Sequence, residues 1–322
     1  MEEKIVLTIN EMAEVLDLSQ LKKLQEVLLK NFADNASAKS EISNFEYLKL
    51  FINAKSIEGC SERTTKYYKD TIINFFSAVN HPVRKITTEI IRDYLVGYQN
   101  RNGCSKVTTD NVRRNLSSFF SWLEEEDYIL KSPMRRIHKI KTAKVVKQII
   151  TDEGIEKLRD VCSVPRDLAI IDLLYSTGIR VGELVNLNID DIDFEQRECI
   201  VLGKGDKERK VYFDAKSKIH LQKYIQSRTD NNPALFVTLY APFDRLKISG
   251  VEIRLRELGR KTNIGRIHPH KFRRTMATRA IDKGMPIEQV QKILGHSQID
   301  TTMQYAIVNQ GNVKISHQKI VS

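Results

Sequence analysis

Near its C-terminal end the chain carries a tyrosine in a setting where its hydroxyl could do chemistry. Tyr305 lies nine positions after His296, in the segment LGHSQIDTTMQYAIV. Such a tyrosine is usually half-buried packing, with its hydroxyl bonded to a nearby polar group. The phenol could instead attack a phosphodiester, if cations neutralise the phosphate oxygens and a donor protonates the leaving oxygen. Which of these two roles Tyr305 plays depends on whether other residues of the chain could complete such a site.

Basic side chains that could supply this charge and these protons stand upstream of the tyrosine. Arg180 opens a predicted helix after a Thr-Gly turn, and Lys204 lies in a glycine-flanked turn. His270 and Arg273 are three positions apart and share one helical face. Paired arginines can clamp phosphate oxygens in a bidentate manner, and a lysine or histidine can move a proton. With His296, these residues predict a phosphoryl-transfer site that needs no metal ion.

Each of these residues also has an ordinary structural interpretation. Arg180 and Glu183 could form an exposed ion pair, Lys204 could be a turn residue chosen for solubility, and His296 could cap a helix. Singly, these interpretations are the better ones, whereas the whole set favours catalysis. No metal site is predicted, because the only close histidine pair, His268–His270, has no third ligand nearby in sequence.

Four segments of the second half resemble the successive catalytic boxes of the tyrosine recombinase (phage integrase) family. They are TGIRVGEL, GKGDKER, HPHKFRRT and LGHSQIDTTMQY, in the family's order and at its typical spacing. The resemblance implies that Arg180 and Arg273 are the two catalytic arginines and that Glu183 supports the site. It also implies a helical core-binding domain before the catalytic domain, because the bundle with SERTTKYYKD is similar to that domain.

The same resemblance implies roles for the remaining site residues. Lys204 would protonate the departing 5′-oxygen, and His270 and His296 would be the two site histidines. Tyr305 would be the nucleophile that forms a 3′-phosphotyrosyl link to DNA, which keeps the bond energy and needs no cofactor. The two domains would close around DNA as a clamp, and four protomers would assemble on two paired recombination sites.

The bulk composition agrees with a soluble DNA-binding protein. The 322 residues suffice for two domains, and the net charge of +11 suits a polyanion, with nucleic acid ahead of a membrane surface. No run approaches the ~18 apolar residues of a membrane-spanning helix, and the acidic N-terminus is no secretory signal. The four cysteines are widely separated and predict reduced thiols in the cytoplasm.

Hydrophobic periodicity predicts a mainly α protein with a small antiparallel β-sheet. Residues 1–38 form an acidic helical extension, in which Thr8–Glu11 reads as a capping box that opens a helix. Residues 39–130 show four amphipathic helices, typical of a compact bundle. Residues 131–148 carry many cations and no acid, which predicts an extended basic linker. Residues 149–322 form a mixed α/β catalytic domain, in which ECIVL and ERKVYF predict a hairpin.

Cations of the bundle and linker are candidates for contact with the DNA backbone. The second and fourth helices of the bundle open with hydroxyl and basic side chains, where backbone N–H groups favour phosphate. Helix capping and a solvated surface explain these residues nearly as well. The candidates are Arg63, Lys66, Arg113, Arg114, Lys139 and Lys141.

The leading functional hypothesis is a site-specific DNA recombinase, of the type that integrates a mobile element. A Xer-like resolvase or a DNA inversion enzyme is the alternative within the same chemistry. A topoisomerase-like nicking and closing enzyme and a DNA-binding regulator without catalysis are further alternatives. The expected partners are double-stranded DNA sites and other copies of the chain, and the need for an accessory directionality factor stays open.

Overall fold

The computed structural model describes residues 2–33, 42–142, 148–203 and 208–305. The chain divides into two compact units, Met1–Lys144 and Val145–Ser322. The described residues are mainly helical, with one three-stranded antiparallel sheet, so the predicted fold class is confirmed. None of the helices within these ranges combines the length and the apolar character that crossing a membrane requires.

The N-terminal segment forms two helices that pack against each other, α1 (Glu2–Met12) and α2 (Leu18–Ala33). The prediction that Thr8–Glu11 opens a helix is wrong, because this segment lies inside α1. The reciprocal capping pattern lies before α2 instead. The Asp17 carboxylate accepts the backbone N–H groups two and three positions on, and Gln20 Oε1 accepts the Asp17 N–H at 3.1 Å.

The predicted four-helix pattern is confirmed in the rest of the first unit, and its core is rich in aromatic rings. Phe51 and Phe119 are fully buried, and their ring centroids lie 5.3 Å apart in an edge-to-face contact. Trp122 packs beside both rings. The helices are α3 (Asn44–Ile57), α4 (Glu62–Ala78), α5 (Thr88–Asn102) and α6 (Lys106–Glu125).

The first part of the predicted linker differs from an extended chain, because it packs on this bundle. A short 3₁₀-helix covers Pro133–Arg136, and Met134 is buried in the bundle core. The Pro133 carbonyl accepts a hydrogen bond from Thr88 Oγ1 at 2.7 Å. Further along, the Ile140 N–H donates to Asp110 Oδ1 at 3.0 Å. An apolar anchor and two hydrogen bonds therefore hold this basic segment against the helices.

The second unit is built around helix α8 (Pro165–Thr177), which is buried on nearly all sides. Two later helices, α10 (Ala215–Gln226) and α12 (Pro269–Asp282), pack on it, as a buried helix requires. The other helices are α7 (Asp152–Asp160), α9 (Val181–Asn186), α10 (Ala215–Gln226), α11 (Ile248–Lys261), α12 (Pro269–Asp282), α13 (Ile287–Leu294) and α14 (Ile299–Met303).

The predicted hairpin is present as strands β2 (Glu198–Leu202) and β3 (Glu208–Tyr212). The two strands pair in antiparallel register, with Cys199 opposite Val211. A short strand that the sequence did not predict, β1 (Ile192–Asp193), pairs with the other side of β2. Because β3 lies beside both α8 and α13, the sheet adjoins the two helices whose C-terminal ends lead to Arg180 and His296.

Asp110 anchors the basic segment, and this anchor makes the stability of the bundle depend on pH. Burial raises the pKa of Asp110, but hydrogen bonds from Arg113, the Ile140 N–H and Arg114 lower it by more. The result is a pKa of about 2, below the ordinary value of an aspartate. A carboxylate whose pKa is lower in the folded state stabilises that state above its unfolded pKa and loses the effect as pH falls. We expect Asp110→Asn to unfold with a free energy about 1–3 kcal/mol smaller at pH 7.

The measurement is denaturant unfolding followed by the fluorescence of Trp122, the single tryptophan of the chain. The difference between the wild type and Asp110→Asn should shrink as the pH falls from about 4 towards 2. Asp93→Asn, which alters an exposed carboxylate on α5, is the control. An equal difference at pH 7 and pH 2 would contradict the assignment.

Candidate active site

Glu183 and Arg180 meet at the start of α9, where the chain leaves the Gly178 turn. Gly178 is left-handed (φ 64°), and a Cβ there would lie 2.4 Å from the end of the Met276 side chain. The Arg180 backbone N–H donates to Glu183 Oε2 at 2.8 Å, and Arg180 Nη1 donates to Glu183 Oε1 at 2.8 Å. The turn and this local bonding therefore fix the first arginine at the N-terminus of α9.

A second arginine that the sequence analysis missed also binds Glu183. Arg209 on β3 donates from Nη1 to Oε1 at 2.8 Å and from Nη2 to Oε2 at 2.7 Å. Burial raises the pKa of Glu183, but the hydrogen bonds from Arg209 and from the Arg180 backbone N–H lower it below the ordinary value. Glu183 is therefore a buried carboxylate that stays ionised.

Arg273, on α12, is buried and held by backbone carbonyls. Its Nη1 donates to the Gly178 carbonyl at 2.8 Å, and its Nη2 donates to the Leu294 carbonyl at 2.6 Å. Burial and the neighbouring Arg180 lower the pKa of Arg273 to about 10, which leaves it charged at neutral pH. The two carbonyls fix the guanidinium between the turn before α9 and the end of α13.

His296 follows the left-handed Gly295 that ends α13, and both of its ring nitrogens are bonded. Nε2 lies 2.9 Å from Arg273 Nη2, and Nδ1 lies 2.8 Å from Thr302 Oγ1. An arginine can only donate, so Nε2 accepts and the proton of the neutral ring stands on Nδ1. Burial and the charges of Arg273 and Arg180 lower the pKa of His296 to about 4. The imidazole is therefore neutral at pH 7.

Tyr305 lies just after α14 and close to His296. The two rings are stacked, with centroids 6.0 Å apart and planes inclined by 29°. The tyrosine also packs on the apolar cluster formed by α12 and α13, and its backbone N–H donates to the Thr302 carbonyl at 2.9 Å. The structure thus places the predicted nucleophile next to one of the predicted site histidines.

His270 lies in the first turn of α12 and is exposed. Partial desolvation, followed by the charges of Arg273 and Arg180, lowers its pKa. A neutral, accessible imidazole therefore lies within electrostatic reach of both arginines. Lys204, the remaining predicted catalytic residue, lies in 204–207, outside the described residues.

The side chains that meet here make the site electropositive. Arg180, Arg209 and Arg273 contribute three positive charges and Glu183 one negative charge, which leaves a net charge of +2 on these four groups. Buried and partly buried cations next to an accessible surface favour an anion such as a phosphodiester. Among the described residues, no group of three His, Cys, Asp or Glu side chains could hold a metal ion.

The predicted DNA contacts lie in the first unit and differ in exposure. Arg63 and Lys66 are exposed on the first turns of α4, and Lys139 and Lys141 are exposed on the segment that follows the bundle. The N-cap serines of α4 and α6 bond the backbone of their own helices, so these hydroxyls serve as caps.

The two neighbouring arginines on α6 differ from each other. Arg114 keeps 61% of its side chain exposed, whereas Arg113 keeps 12% and donates to Asp110 at 2.7 Å. The main role of Arg113 is therefore a structural ion pair with Asp110. Of the two arginines, Arg114 is the better candidate for DNA contact.

The residues that the sequence analysis missed are Arg209 and Thr302. Arg209 is two residues before Val211 and four before Phe213, and both of these residues are buried. In a strand this spacing puts the arginine on the face that carries apolar residues, which is the signal that could have identified it. Thr302 is fully buried three residues before the tyrosine, and nothing in its sequence position distinguishes it from Thr301.

The site thus gathers three arginines, a histidine and a tyrosine in a mainly helical unit with a small sheet. The chain matches the model of the phage integrase family over residues 142–311. It also matches the model of the N-terminal SAM-like domain of phage integrases over residues 47–130.

Curated relatives agree with these two matches. Tyrosine recombinase XerC of Oceanobacillus iheyensis is 30% identical over 291 residues, which are 85% of this chain and 95% of that protein. Tyrosine recombinase XerC of Staphylococcus aureus is 31% identical over 279 residues, which are 82% and 92% of the two chains. The chain therefore belongs to the phage integrase family of tyrosine recombinases.

Solved structures show the same fold at lower identity. The Tn1549 transposon integrase in complex with a circular intermediate DNA has a TM-score of 0.70 and 20% identity, and the match covers 85% of this chain and 99% of that chain. The XerH site-specific recombinase bound to a palindromic difH substrate has a TM-score of 0.67 and 20% identity, with coverages of 97% and 93%. These matches support the mainly helical architecture of both units.

The bond between Thr302 and His296 yields a prediction about the histidine tautomer. In Thr302→Val the Nδ1–H loses its acceptor, and a buried unsatisfied donor costs about 1–3 kcal/mol. We expect His296 to populate the Nε2–H tautomer or to turn away from Arg273. Nitrogen-15 spectra of histidine-labelled protein at pH 7 measure this change.

Thr301→Val is the matched control, because Thr301 precedes Thr302 and is exposed. Its histidine spectrum should equal that of the wild type. An unchanged His296 signal in Thr302→Val would show that the hydroxyl does not set the tautomer.

Proposed function

We propose that this protein is a site-specific DNA recombinase that cuts and rejoins duplex DNA through a 3′-phosphotyrosyl bond to Tyr305. The observation that carries the proposal is the juxtaposition of Arg180, Arg273 and His296 with the ring of Tyr305. Family membership supports the same chemistry. DNA strand transfer accounts for both the charge of the site and the tyrosine beside it.

In the proposed reaction the two arginines neutralise the non-bridging oxygens of the scissile phosphate. The Tyr305 oxygen attacks phosphorus, the bond from phosphorus to the 5′-oxygen breaks, and the tyrosine becomes linked to the 3′-phosphate. The phenol gives its proton to a neutral base, for which His270 is proposed, and Lys204 gives a proton to the departing 5′-oxygen. Attack by a 5′-hydroxyl of the partner strand reverses these steps, so no nucleotide cofactor is required.

The histidines fit this proposal because both are held neutral. His296 accepts a hydrogen bond from Arg273 in the structure described here. A phosphodiester anion would offset the arginine charges that lower the pKa of His296, which favours an N–H donor at Nε2. His270, exposed and also of lowered pKa, can accept a proton or contact the phosphate.

The proposed partner is duplex DNA, which both units contact. Arg63, Lys66, Arg114, Lys139 and Lys141 are the proposed phosphate contacts of the first unit, because their side chains are exposed and basic. Arg113 makes a weaker contribution, because its side chain is largely buried against Asp110.

The proposed exchange of strands implies how many protomers assemble on DNA. Exchange between two duplexes requires four strand cuts, so four protomers are proposed on two paired sites, acting in the cytoplasm on DNA. The proposed domains are 1–38, 39–130, the basic connector 131–148, and 149–322.

The test of the chemistry uses nicked suicide substrates made from DNA on either side of the gene. The wild type should form a covalent protein–DNA adduct that resists denaturant, and Tyr305→Phe should form none, because the attacking oxygen is missing. Tyr240→Phe is the matched control, since Tyr240 is an exposed tyrosine outside the site. An adduct of wild-type strength with Tyr305→Phe would contradict the nucleophile assignment.

A Xer-like resolvase is the second candidate, and the 30% identity to XerC over 95% of that protein favours it. Sequencing of DNA captured as covalent adducts in cells separates the two candidates. Adducts that map to the borders of the segment holding the gene would support the mobile-element integrase. Adducts at one fixed site far from the gene would support the resolvase.

A further inference from the structure

Arg209 connects three separate segments of the site, although the reaction as proposed gives it no role. From β3 it donates two hydrogen bonds to Glu183 on α9, at 2.8 and 2.7 Å. Its Nε donates to the Ile293 carbonyl in the last turn of α13 at 2.8 Å. Only 12% of its side chain is exposed, so it is held by protein groups on several sides.

The Arg209 side chain also packs against the backbone that leads to His296. A Cβ on Gly295 would lie 3.0 Å from Arg209 Cδ and 3.1 Å from its Nε. Gly295 is left-handed (φ 63°), and its carbonyl accepts a hydrogen bond from Arg180 Nη2 at 3.2 Å. Arg209 and Arg180 therefore both contact the residue that directly precedes His296.

The bonds to Glu183 explain what this arrangement does for Arg180. Each carboxylate oxygen of Glu183 accepts one hydrogen bond from Arg209 and one from Arg180. Within the described part of the chain, two of the five guanidinium N–H groups of Arg180 donate hydrogen bonds, one to Glu183 and one to the Gly295 carbonyl. The donors that remain can bind an anion.

Without Arg209, the buried carboxylate would have Arg180 as its single cation. The Arg180 guanidinium would then form a bidentate ion pair with the Glu183 carboxylate, since that is the stronger arrangement. The carboxylate would compete with the phosphate for the same guanidinium. Removing one partner of a buried ion pair also leaves uncompensated charge, which amplifies this competition.

We propose that Arg209 is a positioning residue, which neutralises Glu183, keeps Arg180 available to the scissile phosphate and holds the backbone before His296. This inference rests on the proposed function. Arg209 acts through Glu183 and Arg180 and does not itself contact the phosphate.

The test exploits the charge of the scissile phosphate. A methylphosphonate at that position replaces one charged oxygen with a methyl group, so the need for Arg180 to neutralise charge is reduced. If Arg209 acts through Arg180, the defects of Arg209→Met and Arg180→Ala should both shrink on this substrate. A defect of general packing would be the same on both substrates.

The measurement is the single-turnover rate of adduct formation on the suicide substrate, with the phosphodiester and with the methylphosphonate. Arg209→Met should slow the phosphodiester reaction on the order of 10²-fold, as misplaced groups do, with DNA affinity little changed. The methylphosphonate defect should be about tenfold or less. Arg209→Lys should be intermediate, because an ammonium keeps the charge and cannot form both bonds.

Two variants sharpen the comparison. Lys210→Met removes the next cation on β3, which is exposed and pairs with Glu198, and should react like the wild type. Glu183→Gln in the Arg209→Met background removes the competing charge, so it should recover part of the lost rate. Circular dichroism and thermal melting identify variants that fail to fold, and Arg209→Lys then provides the test.

Equal defects on the two substrates, or a wild-type rate in Arg209→Met, would overturn the inference while the proposed function stands. Absence of any wild-type adduct would overturn the proposed function and the inference with it.

Discussion

The buried carboxylate of Glu183 is the group on which the arrangement of the site depends. It accepts four hydrogen bonds, three from guanidinium N–H groups and one from the backbone at the start of α9. A buried charge is tolerated only when it is paired and its lone pairs are satisfied, and here both conditions are met. These four bonds join β3 to the start of α9, and further bonds from Arg209 to the Ile293 carbonyl and from Arg180 to the Gly295 carbonyl extend the connection to the end of α13. A single ion thus sets the relative positions of elements that are far apart in sequence.

The cations outnumber this carboxylate and repel one another, and backbone carbonyls offset part of that repulsion. Arg273 lies close enough to Arg180 and Arg209 that both lower its pKa, and its charge is stabilised by the carbonyls of Gly178 and Leu294. Both carbonyls stand at helix ends, where carbonyl groups lack partners within the helix. The electropositive site is therefore assembled in the free protein, before any anion arrives, and little reorganisation is required when one binds.

How far the sequence predicts this structure depends on the range of the interactions involved. The helices of the bundle, the β2–β3 hairpin and the start of α9 follow from local periodicity and punctuation, and the structure confirms them. The capping box at Thr8–Glu11 failed, because the local motif fits equally well inside a helix that begins earlier. Arg180, Arg273, His296 and Tyr305 were found through short motifs, and the structure brings them together, although their roles stay predictions. Arg209 was missed because its partner stands 26 residues away, so no local motif links the two residues.

The histidine–threonine pair shows why residue identity alone underdetermines a site of this kind. A neutral histidine can donate from either ring nitrogen, and in this structure Arg273 donates to Nε2 while the Nδ1–H donates to Thr302 Oγ1. In the free protein the imidazole therefore supports Arg273 and offers no donor to a ligand at Nε2. Under the proposed function, a bound phosphate would take the Arg273 N–H as its own donor and add negative charge that favours a second ring proton. The neutral histidine is thus the group whose protonation can follow DNA binding, while the arginines hold their charge throughout.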